Sequence, residues 1–159
     1  MAWAVPSAPP PPPSSPCKGA PMTAMTTLPI PDETSAPFWE AAREGRFLIQ
    51  RCPETGLYQW YPRAHSIHAP HATPEWVEAS GRGELLSYSV VHRGNTRGDP
   101  YTCALVRLEE GVTIFSRVEG IAEGSLRAGL PLAVAFHRLD DTISLPIFRP
   151  PSTAGGSDA

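Results

Sequence analysis

The sequence predicts a mainly β chain: a short N-terminal helix, a knuckled ribbon and a small five-stranded barrel. Three observations carry this prediction. The stretch from Arg51 to Gly83 is written like a zinc ribbon that has lost most of its ligands. From Trp76 onward, apolar runs are punctuated by turn signals at roughly ten-residue intervals, the rhythm of a small all-β domain. Finally, Gly81-Arg82-Gly83 interrupts a strand pattern where a barrel strand must bend to turn its corner.

Composition sets the bounds. A length of 159 residues suits one compact domain with appendages. With 18% charged residues and a net charge of −3, the chain lacks the basic face with which proteins displace phosphate counterions, so nucleic acid is not an expected partner. Three widely spaced cysteines, Cys17, Cys52 and Cys103, imply no disulfide framework and fit a reducing compartment. No run has the length of a membrane span, and Met1 to Pro6 lacks the basic start and apolar core of a signal peptide. A cytoplasmic protein with no membrane partner is expected.

Residues 1–30 form a Pro-rich tail, with an unbroken proline run from Pro9 to Pro13, for which disorder or polyproline II is expected. The start site is left open among Met1, Met22 and Met25. A helix is expected within residues 31–46: Thr34 or Ser35 caps it, Pro37 fits its first turn and Gly45 ends it. Phe38, Ala41 and Ala42 share one face of this helix, with Trp39 beside them.

The ribbon occupies residues 47–75. Phe47 to Arg51 is a strand entering the first knuckle, and Trp60-Tyr61 begins the return. Structural zinc takes four closed ligands, commonly thiolates. Cys52 supplies one, but Thr55 stands where the second thiolate of a Cys-x-x-Cys pair would be, and Ser66 and Ala69 stand near the positions of a second pair. His65, His68 and His71 are alternative nitrogen donors that could join Cys52 in a rewired site. The expected outcome is no metal and a ribbon held by packing of Leu57, Tyr58, Trp60, Tyr61 and Trp76.

The barrel occupies residues 76–150. Its first strand is expected to start at Trp76, bend at the Gly81–Gly83 interruption and continue to His92. Tyr101 to Leu108 and Val112 to Val118 form a hairpin about Glu109-Glu110-Gly111. A connector from Gly120 to Gly129 has room for one helical turn at Ser125 to Ala128, and Leu132 to Leu139 pairs with Thr142 to Phe148. Five strands with a connector between the third and fourth suggest an OB-fold, with an SH3-like barrel as the rival on periodicity. Residues 151–159 are expected to be a disordered tail.

Several motifs in this order carry a resemblance. They are Tyr61-Pro62-Arg63, then Glu75 to Gly83 leading into Ser87 to His92, Pro100-Tyr101, Glu110-Gly111, Gly129-Leu130-Pro131 and Leu145 to Pro150. Together they resemble the acyl-CoA-associated proteins catalogued as domain-of-unknown-function family thirty-five, over about residues 30 to 150. The resemblance implies an N-terminal helix, a rubredoxin-like zinc ribbon and a C-terminal OB-fold. It also implies a non-catalytic subunit that accompanies a thiolase-like enzyme, a sterol-carrier-type thiolase, an acyltransferase or a hydratase-like subunit, and that helps present acyl-CoA in lipid, steroid or polyketide-type metabolism. Family members with an intact ribbon carry two Cys-x-x-Cys pairs, so the present residues keep the ribbon's shape and put its zinc in doubt.

The remaining residues divide between packing and binding. Cys103 reads as a small hydrophobe in a strand, and Ser87, mid-strand, has no nucleophile elbow around it. Arg63, Arg82, Arg93 and Arg97 are cations suited to the phosphates of CoA, and with Trp60, Tyr61 and Trp76 they outline a groove between ribbon and barrel. Phe38 and Trp39 read first as packing residues, and their alternative role makes them the candidate contacts to a partner subunit. The alternative to an accessory subunit is an OB-fold module that binds nucleic acid by aromatic stacking.

Overall fold

The computed structural model describes residues 28–92 and 100–151. Residues 1–27 and 152–159, which make up most of the two expected tails, and the segment 93–99, which carries Arg93 and Arg97, lie outside the described residues.

Helix α1 spans Ala36–Arg43 and has Pro37 in its first turn, where a missing N–H is tolerated. Ser35 is the N-cap residue, yet its hydroxyl makes no cap bond to the helix; it donates instead to the Asp32 carboxylate at 2.7 Å. Gly45, at φ +80°, ends the helix. Its N–H reaches the Ala42 carbonyl at 3.1 Å, and the Arg46 N–H reaches that of Ala41 at 2.9 Å, the paired bonds of a Schellman stop. The apolar face of Phe38, Ala41 and Ala42 is buried, with Phe38 only 2% exposed. Packing, the first of the two roles expected of these aromatics, is what closes that face: the Phe38 ring meets Trp39, Trp60 and Phe47 edge-on at 5.0, 5.2 and 6.2 Å, which leaves no open Phe38 surface for a partner.

The ribbon is a three-stranded antiparallel sheet of order β2-β1-β3, built from β1 (Leu48–Arg51), β2 (Tyr58–Gln59) and β3 (Glu75–Glu78). Two details differ from expectation. The return strand lies at Tyr58–Gln59, ahead of Trp60-Tyr61. The Trp76–Ala79 run does not open the barrel: β3 pairs with β1, from Leu48 opposite Glu78 to Arg51 opposite Glu75. The chain changes sheets at Gly81, whose φ of +69° suits only glycine without strain.

The barrel has β4 (Arg82–Val91), β5 (Tyr101–Leu108), β6 (Thr113–Val118), β7 (Pro131–Arg138) and β8 (Ser144–Arg149), closed in the order β4-β5-β6-β8-β7. All pairs are antiparallel except β6 and β8, which run parallel with Val118 opposite Phe148. This is the five-stranded Greek-key closure of an OB-fold. A bulge between Leu85 and Ser87 bends the long β4 where it wraps the barrel. The connector carries one 3₁₀ turn, Glu123–Ser125, slightly ahead of the turn expected at Ser125 to Ala128. Leu85, Val106, Ile114, Leu132 and Phe148 fill the interior. Phe47 joins the two parts, with its ring 6.5 Å from Phe136 and 6.3 Å from Phe148.

Candidate functional site

The ribbon centre is made by two turns of the same design. In the first, Cys52 donates its N–H to the Leu57 carbonyl at 2.8 Å, and its sulfur accepts the N–H groups of Glu54 and Thr55. In the second, Ser66 donates its N–H to the Ala72 carbonyl at 3.0 Å, and its hydroxyl oxygen accepts the N–H groups of His68 and Ala69 at 3.1 and 3.3 Å. Each turn thus aims the amides two and three residues on at one side-chain atom. Ser66 is the counterpart of Cys52, and Thr55 and Ala69 are the counterparts three residues further along.

The two turns meet. The Ser66 and Thr55 hydroxyls beside Cys52, with the Glu54 and Thr55 amides, hold the thiol's pKa down at about 7, against burial, which acts to raise it. Cys52 is fully buried and Ser66 is 3% exposed. The donor set at the four positions is therefore one thiol, two hydroxyls and a methyl, which does not fit the closed tetrahedral site that zinc requires. Nor do the histidines supply replacements. His65, His68 and His71 are exposed, and the His68 ring nitrogen Nε2 sits 3.0 Å from the Tyr58 carbonyl. Among the described residues no three His, Cys, Asp or Glu side chains converge on a point where a metal would sit.

Behind this centre lies a buried pair of amides that the sequence did not single out. Gln50 on β1 and Gln59 on β2 stand opposite each other, 3% and 1% exposed. Gln59 Nε2 donates to Gln50 Oε1 at 2.8 Å. Gln50 Oε1 also accepts the Arg63 N–H at 2.8 Å, while its Nε2 donates to the Arg63 carbonyl at 3.0 Å. Gln59 Oε1 accepts the Ile67 N–H at 2.9 Å. The pair fixes the second turn on both sides of Ser66.

The proposed groove residues are spread along this assembly. Trp60 and Tyr61 pack edge-on at 5.6 Å, and Tyr61 is 51% exposed. Trp76 is half-buried opposite Gln50, and Trp39 packs against the core from outside. Arg63 is exposed, its backbone held by Gln50. Arg82 is engaged in a two-pronged pair with Glu109, both contacts at 2.8 Å. A shallow recess of about 300 Å³ lies beside it, lined by Gly83, Glu84, Arg107, Leu108 and Glu109. Sequence reasoning also passed over the outer wall of the barrel. There Phe115, 69% exposed, stands opposite Leu105, 39% exposed. The signal was present: in Thr113-Ile114-Phe115, alternation puts Ile114 inside and Phe115 outside.

A helix, a two-turn ribbon and an OB-fold barrel in that order define the class, and comparison with known proteins gives the family. The rubredoxin-like zinc ribbon domain of ChsH2 matches residues 39–66, and the C-terminal OB-fold domain of ChsH2 matches residues 76–137. A chain in a solved structure described as an Ltp2-ChsH2(DUF35) aldolase is 32% identical, with a TM-score of 0.71, over 77% of this chain and 98% of that one. A probable enoyl-CoA hydratase alpha subunit of Thermomonospora curvata is 32% identical over 129 residues, 80% of this chain and 40% of the relative. A DUF35 domain-containing scaffold protein of Methanocaldococcus jannaschii is 27% identical over 108 residues, 65% of this chain and 77% of the relative. The chain belongs to the DUF35 family, with the ChsH2 arrangement of zinc ribbon and OB-fold. It spans 40% of the length of the hydratase alpha subunit it matches. Among the described residues no helix is long and apolar enough to cross a membrane.

Proposed function

We propose that this chain is a non-catalytic accessory subunit that binds a thiolase-like or other acyl-CoA-processing enzyme and helps present the acyl-CoA to it. The observation that carries the reading is the match, at 32% identity over 98% of its length, to a chain of an aldolase whose description pairs Ltp2 with ChsH2. The chemistry of the chain itself agrees. Cys52 is sealed inside the ribbon, and Cys103 lies partly buried within β5. His92 has the Glu123 carboxylate at 3.7 Å, an exposed contact rather than a nucleophile–base pair.

The mechanism is one of binding. A partner that covers Phe115 and Leu105, or Tyr61 and the part-buried Trp39 on the helix and ribbon side, would bury apolar surface. Excluding water near the thioester protects it and strengthens electrostatic contacts to it. Arg63, which is exposed, serves a CoA phosphate in this reading, whereas Arg82 would first have to exchange Glu109 for a phosphate; Arg93 and Arg97, assigned the same role from the sequence, lie outside the described residues.

The test is an affinity capture of the full chain from its native cell, followed by titration of CoA into the chain alone and into the recovered complex. The reading expects a stoichiometric acyl-CoA enzyme and tighter CoA binding by the complex. Turnover of an acyl-CoA by the isolated chain, or recovery of nucleic acid as the sole partner, contradicts it.

A further inference from the structure

We propose that the ribbon of this chain is a metal-independent variant, in which the Gln50–Gln59 clamp holds together the two turns that a zinc ion would otherwise cross-link. The inference is independent of which enzyme the chain accompanies.

A structural zinc ion does two things in a ribbon. It joins two turns that have little apolar surface of their own, and it neutralises the thiolates that face each other. Here both needs are met without an ion. Only one thiol remains, so no cluster of like charges has to be neutralised. The second turn is closed on itself at the centre by the Ser66 hydroxyl, which accepts the amides of His68 and Ala69 at 3.1 and 3.3 Å.

The second support lies deeper. Gln50 is two residues before Cys52, and Gln59 follows the first turn on β2, so both amides belong to the strands that carry that turn. They bond Arg63 and Ile67, which bracket Ser66 in the second turn. Both side chains are almost fully buried, and each has partners for its oxygen and its nitrogen. Buried and satisfied in this way, they act as a rigid brace, since opening the second turn would leave several polar groups without partners away from water.

The equivalence of the two turns also fixes where the absent ligands would stand: positions 52, 55, 66 and 69. This yields a constructive test on the full chain. Thr55→Cys, Ser66→Cys and Ala69→Cys together are expected to create a tetrathiolate site. The folded triple variant should take up about one Co²⁺ per chain, with the visible and thiolate charge-transfer absorption of tetrahedral cobalt, and Zn²⁺ should displace it and raise the thermal midpoint. The natural chain, equilibrated with Zn²⁺ and desalted, should retain no stoichiometric zinc, and EDTA should leave its thermal midpoint unmoved. Gln59→Leu should lower that midpoint.

Stoichiometric zinc in the natural chain, or a fall in its midpoint on adding EDTA, overturns the proposal. So does a folded triple variant that ignores cobalt, or a Gln59→Leu chain as stable as the natural one. If the triple variant does not fold, the zinc content and EDTA response of the natural chain decide alone.

Discussion

The Ser66 hydroxyl accepts the Ala69 N–H at 3.3 Å in the second of two equivalent turns of the ribbon. It also takes the His68 amide at 3.1 Å, and Ser66 itself is 3% exposed, so removing one oxygen leaves two part-buried donors without their partner. Ser66→Ala should therefore destabilise the chain by about 1–3 kcal/mol, the cost of leaving such groups unpaired. Denaturant unfolding of the two proteins measures it; an unchanged midpoint would mean that the contact carries no stability.

The first turn has a pH signature. Folding lowers the Cys52 pKa from 9.0 to about 7, chiefly through the Ser66 and Thr55 hydroxyls. A group whose pKa falls on folding contributes its full stability above the unfolded value and loses it as pH drops through the folded value. The contribution should thus be complete above pH 9.0 and disappear below about 7. Subtracting the stability–pH curve of Cys52→Ala from that of the natural chain isolates it. A difference that is flat, or that falls as pH rises from 7 to 9, contradicts the assignment.

Much of this was legible in the sequence, and the reasons are local. Cys52, Gly56 and the proline-flanked second turn follow the grammar of a ribbon knuckle, and the barrel strands are bounded by glycine turns that permit few alternatives. Strand partnership was less accessible. Trp76 to Glu78 alternates in the same way whether it pairs with β1 or opens the barrel, because periodicity reports which face a residue takes and not which strand lies beside it. The Gln50–Gln59 brace was hidden because a lone glutamine in a short strand reads as a surface residue. Phe38 was legible as a packing residue from the helical spacing it shares with Ala41 and Ala42, but the sequence does not say which rings cover it: Phe47 and Trp60 of the same chain do so.

That burial separates two aromatic substitutions. Phe38→Ala empties a core position and should cost about 3–5 kcal/mol by chemical denaturation. Phe115→Ala removes a ring that is 69% exposed and should change stability by no more than about 0.5 kcal/mol. If the outer barrel wall is the docking face, Phe115→Ala should nevertheless weaken capture of the partner. Full retention of the partner would move the interface to the ribbon side, where Tyr61 and Trp39 lie.

Gly81 offers a backbone test of the junction between ribbon and barrel. It holds φ +69°, and a Cβ there would collide with the Val134 side chain. Gly81→Ala should destabilise the chain by about 1–3 kcal/mol through strain and overpacking together. A thermal midpoint equal to that of the natural chain would show that the junction relaxes freely.

The decisive measurement is the stoichiometry of what co-purifies with the full chain from its native cell, by quantitative mass spectrometry of an affinity capture. An acyl-CoA-processing enzyme of thiolase-like type, present in about equal amount and active only when the chain is bound, is the predicted result. A chain recovered without an enzyme partner, or one that turns over an acyl-CoA thioester by itself, would contradict the accessory role.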